Sequence, residues 1–193
     1  MKKPLVTAPN QILRNISKEV VVDKKINEFI VDLSDSLLTQ TNPRGVGLSA
    51  PQIGKNYRIF ATLLNEDEDK EPKDSDLKIF INPKVISHSV EKTLGDDPQD
   101  PIMEGCLSIP NLYGPVPRFT WIEIEYETLE HGRSLVRNEK FEGFAARVIQ
   151  HEQDHLDGIL FVDHTSNADL PFYEYRGKKL QPINRQLVDI YLQ

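Results

Sequence analysis

The sequence contains few of the features that mark secreted, membrane or nucleic-acid-binding proteins. A single cysteine, Cys106, stands among 193 residues, so no disulfide can form within the chain and a reducing compartment is expected. No stretch approaches the roughly 18 consecutive apolar residues of a membrane span, and residues 1–5 are not followed by the apolar core of a signal peptide. A net charge of −7 argues against general nucleic-acid binding. We therefore expect a cytoplasmic protein, bacterial by default, with no DNA or membrane partner.

The length and composition predict one folded unit. No internal repeat or composition break divides the 193 residues, and 38% of them are hydrophobic, so a single domain over residues 1–193 is expected. Apolar spacing predicts a helix over residues 23–41 with Asp23 as its N-cap. Strands are predicted over residues 57–64, 77–82 and 121–127, and the last of these alternates between apolar residues and glutamates.

Residues 150–158, read as QHEQDHLDG, carry the strongest chemical signal. His151 and His155 are one helical turn apart, so two neutral imidazoles on one face can bind a single divalent ion. Glu152 lies about 100° around the same helix, where it can handle protons without being a ligand. The helical pattern from residue 141 supplies an apolar stripe beside the histidines, and Gly158 can end the helix in a left-handed conformation. The motif therefore predicts a metal-dependent hydrolase.

Two histidines do not complete a catalytic metal site, and the third ligand decides the class of enzyme. The extended His-Glu-x-x-His-x-x-Gly-x-x-His pattern of one metallopeptidase class fails because Phe161 occupies the last position. His164 comes three residues too late. Glu174 could serve as a glutamate ligand from a later segment, although its surroundings are a poor match to a helix. Cys106 is the other candidate, since a lone cysteine can be a ligand or a small buried apolar residue.

Two glycine-containing segments have the composition of chain that turns or lies close to another group. Residues 45–54, GVGLSAPQIG, are one, and they read either as an ordinary loop before a strand or as one wall of a cleft with Gln52 as a neutral amide donor. Residues 104–110, EGCLSIP, are the other, with turn-forming residues on both sides of Cys106.

Taken together, GVGLSAPQ, EGCLS and QHEQDH resemble the three ordered signature motifs of peptide deformylases. The resemblance covers about residues 10–162, and the tail over residues 163–193 matches no motif. Ser49 stands where alanine is more usual, and Gln153 stands where an apolar residue is more usual. The resemblance implies an α+β fold in which antiparallel β-sheets pack around a central helix carrying the His-Glu-x-x-His motif.

The resemblance also implies the roles of the site residues. Cys106, His151 and His155 would hold one divalent metal, with Fe²⁺ as the physiological ion and Ni²⁺, Co²⁺ or Zn²⁺ able to replace it. Glu152 would take a proton from the attacking water and pass it to the leaving amine. The Gln52 side chain and the Leu107 backbone N–H would donate hydrogen bonds to the developing oxyanion.

The implied reaction releases formate from the N-terminal formylmethionine of newly made peptides. The peptide would bind as an added strand beside Gly47, its neighbour Val46, and Gly105. Gly47 would thereby lie next to the reacting group as well. Phe144 and Val148, on the helix face of the two histidines, would line the pocket for the methionine side chain.

The remaining expectations concern partners and the tail. Apolar residues Leu187, Ile190 and Tyr191 predict a C-terminal helix packed on the body of the protein. The basic residues of the tail, from Arg176 onwards, suggest a transient contact with ribosomal RNA where the substrate emerges. No oligomer is required by the motifs. A metallopeptidase with Glu174 as third ligand is the alternative function.

Overall fold

The computed structural model describes residues 1–41, 44–65, 72–97, 99–130 and 133–192. Within these ranges the α-helices are α1 (Lys24–Leu38), α2 (Gly143–Leu156) and α3 (Phe161–Asn167). The strands are β1 (Gly47–Ser49), β2 (Ile59–Leu63), β3 (Leu77–His88), β4 (Lys92–Thr93), β5 (Met103–Cys106), β6 (Ile109–Pro115), β7 (Arg118–Phe119), β8 (Trp121–Glu130), β9 (Arg133–Glu142), β10 (Tyr173–Arg176) and β11 (Lys179–Pro182).

Helix α1 forms where the apolar spacing predicts it. The Asp23 side chain accepts a hydrogen bond from the Ile26 backbone N–H at 2.8 Å, which satisfies one of the free donors at the helix start. The apolar face of the helix is buried against β1 and β2. That face consists of Ile26, Phe29, Ile30, Leu33 and Leu37.

A five-stranded antiparallel sheet, in the order β1-β2-β3-β8-β9, contributes buried residues to two hydrophobic clusters, one shared with α1 and one shared with α2. Strand β8 has the predicted alternation, because Ile122, Ile124 and Tyr126 are buried while the residues between them are more exposed. Strand β3 is longer than the predicted segment 77–82, and it accommodates its extra length through irregular register opposite β8. Strand β1 lies at one edge of this sheet.

A second sheet has the order β11-β10-β6-β5, and β4 and β7 form a two-stranded sheet. Strand β5, which ends at Cys106, lies at the edge of the second sheet. The C-terminal hairpin β10–β11 joins this sheet through β6, where Tyr173 pairs with Tyr113. The tail is therefore continuous with the sheet that carries Cys106.

Helix α2 contacts β1, β2, β7, β8 and β9. It begins two residues after the predicted start at residue 141, because β9 continues through Glu142 and Gly143 turns the chain with a φ of 57°. It ends as predicted, with Gly158 in the left-handed region at a φ of 73°. The buried residues of α2 include Ala146, Ile149 and Leu156. The predicted α+β fold, with antiparallel sheets around this helix, is confirmed.

The predicted C-terminal helix is wrong. Gly177, with a φ of 66°, allows the tight turn between β10 and β11. Two short 3₁₀-helices follow, Arg185–Leu187 and Asp189–Tyr191. Leu187 and Ile190 are 66% and 50% exposed, whereas Val188 is fully buried. Val188 is part of a hydrophobic core cluster, and Tyr191 packs against that cluster. The predicted packing of Tyr191 on the body is therefore confirmed, although the described residues of this segment form no amphipathic helix. Throughout the described ranges, each helix is too short or too polar to cross a membrane.

Candidate metal centre and cleft

Three potential ligands from two elements meet at one point. Helix α2 presents His151 and His155 from successive turns, and their rings lie edge to face with centroids 5.0 Å apart. Cys106, at the end of β5, places its Sγ 3.3 Å from Nε2 of His155. One donor atom from each of the three residues lies within 4.8 Å of the other two. Cys106 therefore joins the two histidines of the His-Glu-x-x-His motif in one group that could hold a metal ion.

The chemistry of these donors fits a divalent transition metal. Burial opposes ionisation of the Cys106 thiol, but the neighbouring charge of His155 and hydrogen bonds with His151 and His155 bring its pKa well below the ordinary value. A thiolate and two imidazoles are ligands for borderline metals such as iron, nickel, cobalt and zinc. Among the described residues, Oε2 of Glu152 is buried without a hydrogen-bond partner, as expected where a further group completes a site.

The Glu104 carboxylate contacts one ring nitrogen of His151. Its Oε2 lies 3.0 Å from Nδ1 of His151, so the other ring nitrogen can face the cleft. Two guanidinium groups hold the same carboxylate: Arg118 donates from Nε and Nη2, both at 2.9 Å, and Arg147 donates from Nη1 at 2.9 Å. Burial raises the pKa of Glu104, but the Arg118 charge and the hydrogen bonds of Arg118 and His151 bring it well below its usual range.

The buried charges continue from Arg118 to the surface. Arg118 also donates to Asp154 at 2.5 Å, and Asp154 lies 2.8 Å from Nε2 of His164. His164 is therefore a partner of Asp154 and not a member of the metal-ligand group. Its predicted exclusion from the ligand set is consistent with this position. The network fixes α2 relative to β5 and β7, the elements that surround the ligands.

Glu152 lies beside the ligands and against β1. A β-carbon added at Gly47 would overlap the Glu152 carboxylate, so the close approach requires glycine at that position. Burial raises the pKa of Glu152 to about 7, against the opposing effect of the His151 and His155 charges. A carboxyl group with a pKa near neutrality can both accept and return a proton.

The Gln52 side-chain amide reaches Cys106 from the segment that follows β1. Gln52 lies in a 3₁₀-helix over Ala50–Ile53, and its Nε2 is 3.4 Å from Sγ of Cys106 and 3.3 Å from Oγ of Ser108. Its Oε1 accepts hydrogen bonds from the N–H and the hydroxyl of Ser49 at 2.8 and 2.9 Å. The amide therefore directs its donors toward Cys106.

A cleft of about 680 Å³ opens in front of these groups. Its two sides include β1 and β5, which are edge strands of the two larger sheets. Leu107 follows Cys106 on the β5 side of the cleft. The cleft is lined by the predicted site residues Val46, Gly47, Gln52, Gly105, Cys106, Leu107, Phe144, Val148, His151 and Glu152.

Glu174 lies elsewhere. It belongs to β10, where it pairs with Leu112 and accepts a hydrogen bond from Arg176 at 2.6 Å. Within the described residues, the group that could hold a metal consists of Cys106 and the two histidines. The third-ligand position suggested for Glu174 has no support in this geometry.

Sequence reasoning missed the residues that hold the ligands in place. Glu104 lies two positions before Cys106, and Arg147 lies one helical turn before His151, so both positions carried a usable signal. Arg118 carried none, because its partners Glu104 and Asp154 are 14 and 36 residues away.

Comparison with known proteins identifies the relatives of this chain. The family model for polypeptide deformylase matches residues 2–170. The chain is 38% identical over 166 residues to a peptide deformylase of Rhizobium meliloti, and the aligned region covers 85% of each chain. Its fold is similar to the crystal structure of peptide deformylase from Thermotoga maritima (TM-score 0.70, 28% identity, covering 85% of this chain and 97% of that one). It is also similar to a Met-Ala-Ser-bound class I type b peptide deformylase from Acinetobacter baumannii (TM-score 0.70, 27% identity, 85% and 98% covered).

Proposed function

Because the chain belongs to the polypeptide deformylase family, we propose that it hydrolyses the N-formyl amide of formylmethionyl peptides using one divalent metal. The metal would be held by Cys106, His151 and His155. The observation that carries this proposal is the meeting of three donor atoms within 4.8 Å of one another beside a buried carboxylate, Glu152. The geometry around Glu174 does not favour the alternative metallopeptidase.

The substrate backbone binds as an extended strand between the two sheet edges. Edge strands have unpaired N–H and C=O groups, and these recognise a peptide main chain without regard to most of its side chains. Gly47 in β1, its neighbour Val46, and Gly105 in β5 line the two sides of the cleft. This arrangement suits an enzyme that acts on many newly made peptides. The Met-Ala-Ser complex of the Acinetobacter relative agrees with a tripeptide ligand beginning with methionine.

The methionine side chain occupies the part of the cleft formed by α2. Phe144, 36% exposed, and Val148, 6% exposed, both line the cleft. They lie one turn apart on the helix, on the side that also carries His151. An unbranched apolar side chain placed there brings the formyl group toward the ligands and Glu152.

The reaction consumes one water and yields formate and a free amine. Bound at this site, the divalent ion supplies Lewis-acid polarisation of the formyl carbonyl and lowers the pKa of water. Glu152 accepts the proton of the attacking water and then gives it to the departing amine nitrogen. The Gln52 amide and the Leu107 backbone N–H donate hydrogen bonds to the oxygen on which negative charge develops.

We propose Fe²⁺ as the physiological ion, with Ni²⁺, Co²⁺ and Zn²⁺ as substitutes that the Cys-His-His donor set also fits. Fe²⁺ next to a thiolate promotes oxidation of both in air. The iron form is expected to lose activity faster in aerobic than in anaerobic buffer, while the nickel form decays at similar rates in both. Equal decay rates of the iron form in the two buffers would contradict this choice.

We also propose that the basic residues of the tail contact the ribosome. Arg176 and Arg185 form ion pairs with Glu174 and Asp169, both at 2.6 Å, so much of their charge is balanced. Lys178 and Lys179 lie exposed at the β10–β11 turn and are the residues to test. Ribosome co-sedimentation should weaken in the Lys178→Gln, Lys179→Gln double variant. Unchanged binding would remove the proposal. One chain contains all the proposed catalytic residues, so no oligomer is required.

The function is tested by formate release from formyl-Met-Ala-Ser by the nickel-loaded protein, with acetyl-Met-Ala-Ser as the control substrate. We expect formate and Met-Ala-Ser in equal amounts, and no cleavage of the acetyl peptide at a comparable rate. Cys106→Ala should lose both the bound metal and the activity. Cleavage of internal peptide bonds, or full activity in Cys106→Ala, would refute the proposal.

A further inference from the structure

Ser49 is a buried residue whose hydroxyl is directed at a cleft residue. It ends β1 and is 0% exposed. Its hydroxyl donates to Oε1 of Gln52 at 2.9 Å, and its backbone N–H donates to the same oxygen at 2.8 Å. The buried Ser36, by contrast, bonds to the main chain, since its hydroxyl donates to the Asp32 carbonyl at 2.7 Å. Ser49 instead holds the side chain of Gln52.

The two donors from Ser49 have separate consequences for the amide. The backbone N–H can only donate, so it requires the oxygen of the Gln52 amide, and not its NH₂ group, on the Ser49 side. The hydroxyl adds a second bond to that oxygen and restricts the remaining rotation of the side chain. A carbonyl oxygen that accepts two hydrogen bonds also makes the attached NH₂ a better donor, because hydrogen bonds in a chain polarise one another.

The opposite end of the amide is thereby directed into the cleft. Nε2 lies 3.3 Å from Oγ of Ser108 and 3.4 Å from Sγ of Cys106. Rotation of the amide would move Nε2 away from these acceptors, and the bond to Oγ of Ser108 is already long for an N–H···O hydrogen bond. The placement of Nε2 thus depends on how firmly Oε1 is held.

We propose that Ser49 is a positioning residue that holds the Gln52 amide in the orientation needed to stabilise the transition state. This inference rests on the proposed deformylase function and on the oxyanion role of Gln52. Ser49 is not a member of the metal-ligand group. Its hydroxyl also interacts with the Glu152 carboxylate and opposes the rise in the pKa of that group, so the double-mutant cycle described below distinguishes action through Gln52 from action through Glu152. An alanine at position 49 would keep the backbone N–H bond and lose the hydroxyl bond.

Ser49→Ala tests this role in the nickel-loaded enzyme with formyl-Met-Ala-Ser. Loss of one buried hydrogen bond should lower kcat roughly two- to tenfold. KM should change by less than about twofold, since the lost interaction matters in the transition state and not in substrate binding. Metal content should remain that of wild type. Ser36→Ala is the matched control, because it removes a buried serine hydroxyl far along α1 and should leave kcat unchanged.

A double-mutant cycle separates positioning from a general structural effect. In Gln52→Met, which keeps the side-chain length and removes the amide, Ser49→Ala should have no further effect on kcat beyond about 1.5-fold. A second readout is the hydrogen exchange of the Gln52 side-chain NH₂, assigned by its absence in Gln52→Met. Its exchange should be faster in Ser49→Ala than in wild type.

The outcomes distinguish this inference from the function on which it rests. If wild type releases no formate, the proposed function fails, and the catalytic role of Ser49 fails with it. If wild type is active but Ser49→Ala has an unchanged kcat, Ser49 has no positioning role. An equal loss of kcat in the wild-type and Gln52→Met backgrounds also overturns it, because the effect would not pass through Gln52.

Discussion

Replacing Glu104 with glutamine should destabilise the protein and weaken metal binding together. The buried carboxylate of Glu104 accepts hydrogen bonds at both oxygens. Oε1 accepts from Nε of Arg118 and Nη1 of Arg147, and Oε2 accepts from Nη2 of Arg118 and lies 3.0 Å from Nδ1 of His151. Glutamine has nearly the same shape but no charge. Whichever way its amide turns, the NH₂ group faces at least one guanidinium donor.

The magnitude follows from the charges left behind. Without Glu104, Arg118 keeps one anionic partner, Asp154, whereas the Arg147 hydrogen bonds that remain are to the carbonyls of Val116 and Thr93. Removing one partner of a buried ion pair costs about 3–5 kcal/mol. Loss of the group that orients a metal-binding histidine lowers metal affinity by roughly 10- to 100-fold.

Two assays check these figures. Urea unfolding in the presence of a chelator gives the free energy of unfolding of the metal-free protein, and competition with a chromogenic chelator gives the affinity for Ni²⁺. Glu139→Gln is the control, since Glu139 pairs with Lys78 and Tyr126 in a partly exposed position and should change stability much less. A stability loss below about 1 kcal/mol for Glu104→Gln, or a loss no larger than the control's, would refute the reasoning.

The same variant has a defined pH dependence. The folded-state pKa of Glu104 lies below its ordinary value, so the carboxylate contributes full stability above the unfolded pKa of about 4.3. That contribution is lost as the pH falls from there through the lower, folded-state pKa. The stability difference between wild type and Glu104→Gln should therefore shrink below about pH 4.

Three further outcomes are expected. The acid limb of kcat/KM should lie below pH 7, because the proposed role of Glu152 as proton acceptor requires its ionised form. Burial raises the pKa of Glu152 to about 7, and a bound cation lowers it again. A limb above pH 7 in the nickel enzyme would contradict this. Gly47→Ala should lower kcat at least tenfold with metal retained, since its β-carbon would displace the Glu152 carboxylate. Steady-state kinetics together with metal analysis would measure this, and an unchanged kcat would contradict it. Gly158→Ala should lower the free energy of unfolding by roughly 1–3 kcal/mol, measured by chemical denaturation, and by more than Gly177→Ala does. Both glycines have positive φ, but of the two only Gly158 lies against the Arg14 backbone. Equal losses in the two variants would show that this contact is unimportant.

Local sequence patterns were sufficient to predict which residues share a face of a single helix or strand. The spacing of His151 and His155 predicted that the two side chains lie together on one face of α2, and the alternation from Ile122 to Tyr126 predicted the buried face of β8. Both periodicities are set by backbone geometry, which is the same in every protein. The association of Cys106 with the two histidines required the resemblance to a family, because no local pattern links residues 45 or more positions apart.

Local patterns did not predict the structure of segments whose conformation depends on tertiary contacts. The spacing of Leu187, Ile190 and Tyr191 is typical of a helix, yet the segment forms two short 3₁₀-helices, fixed by burial of Val188. Intrinsic helix propensity is weak enough for such packing to override it. Arg118 is a polar residue between a proline and a phenylalanine, and only the folded structure reveals that it joins Glu104 to Asp154.

The central claim is that Glu152 acts as the proton acceptor of a metal-dependent deformylase. The most direct test compares formate release from formyl-Met-Ala-Ser by nickel-loaded wild type and Glu152→Gln, with the metal content of both measured. We expect one metal per chain in each, and a loss of activity of roughly 10²- to 10⁴-fold in the variant. Undiminished release by Glu152→Gln, or no release by fully metallated wild type, would contradict the claim.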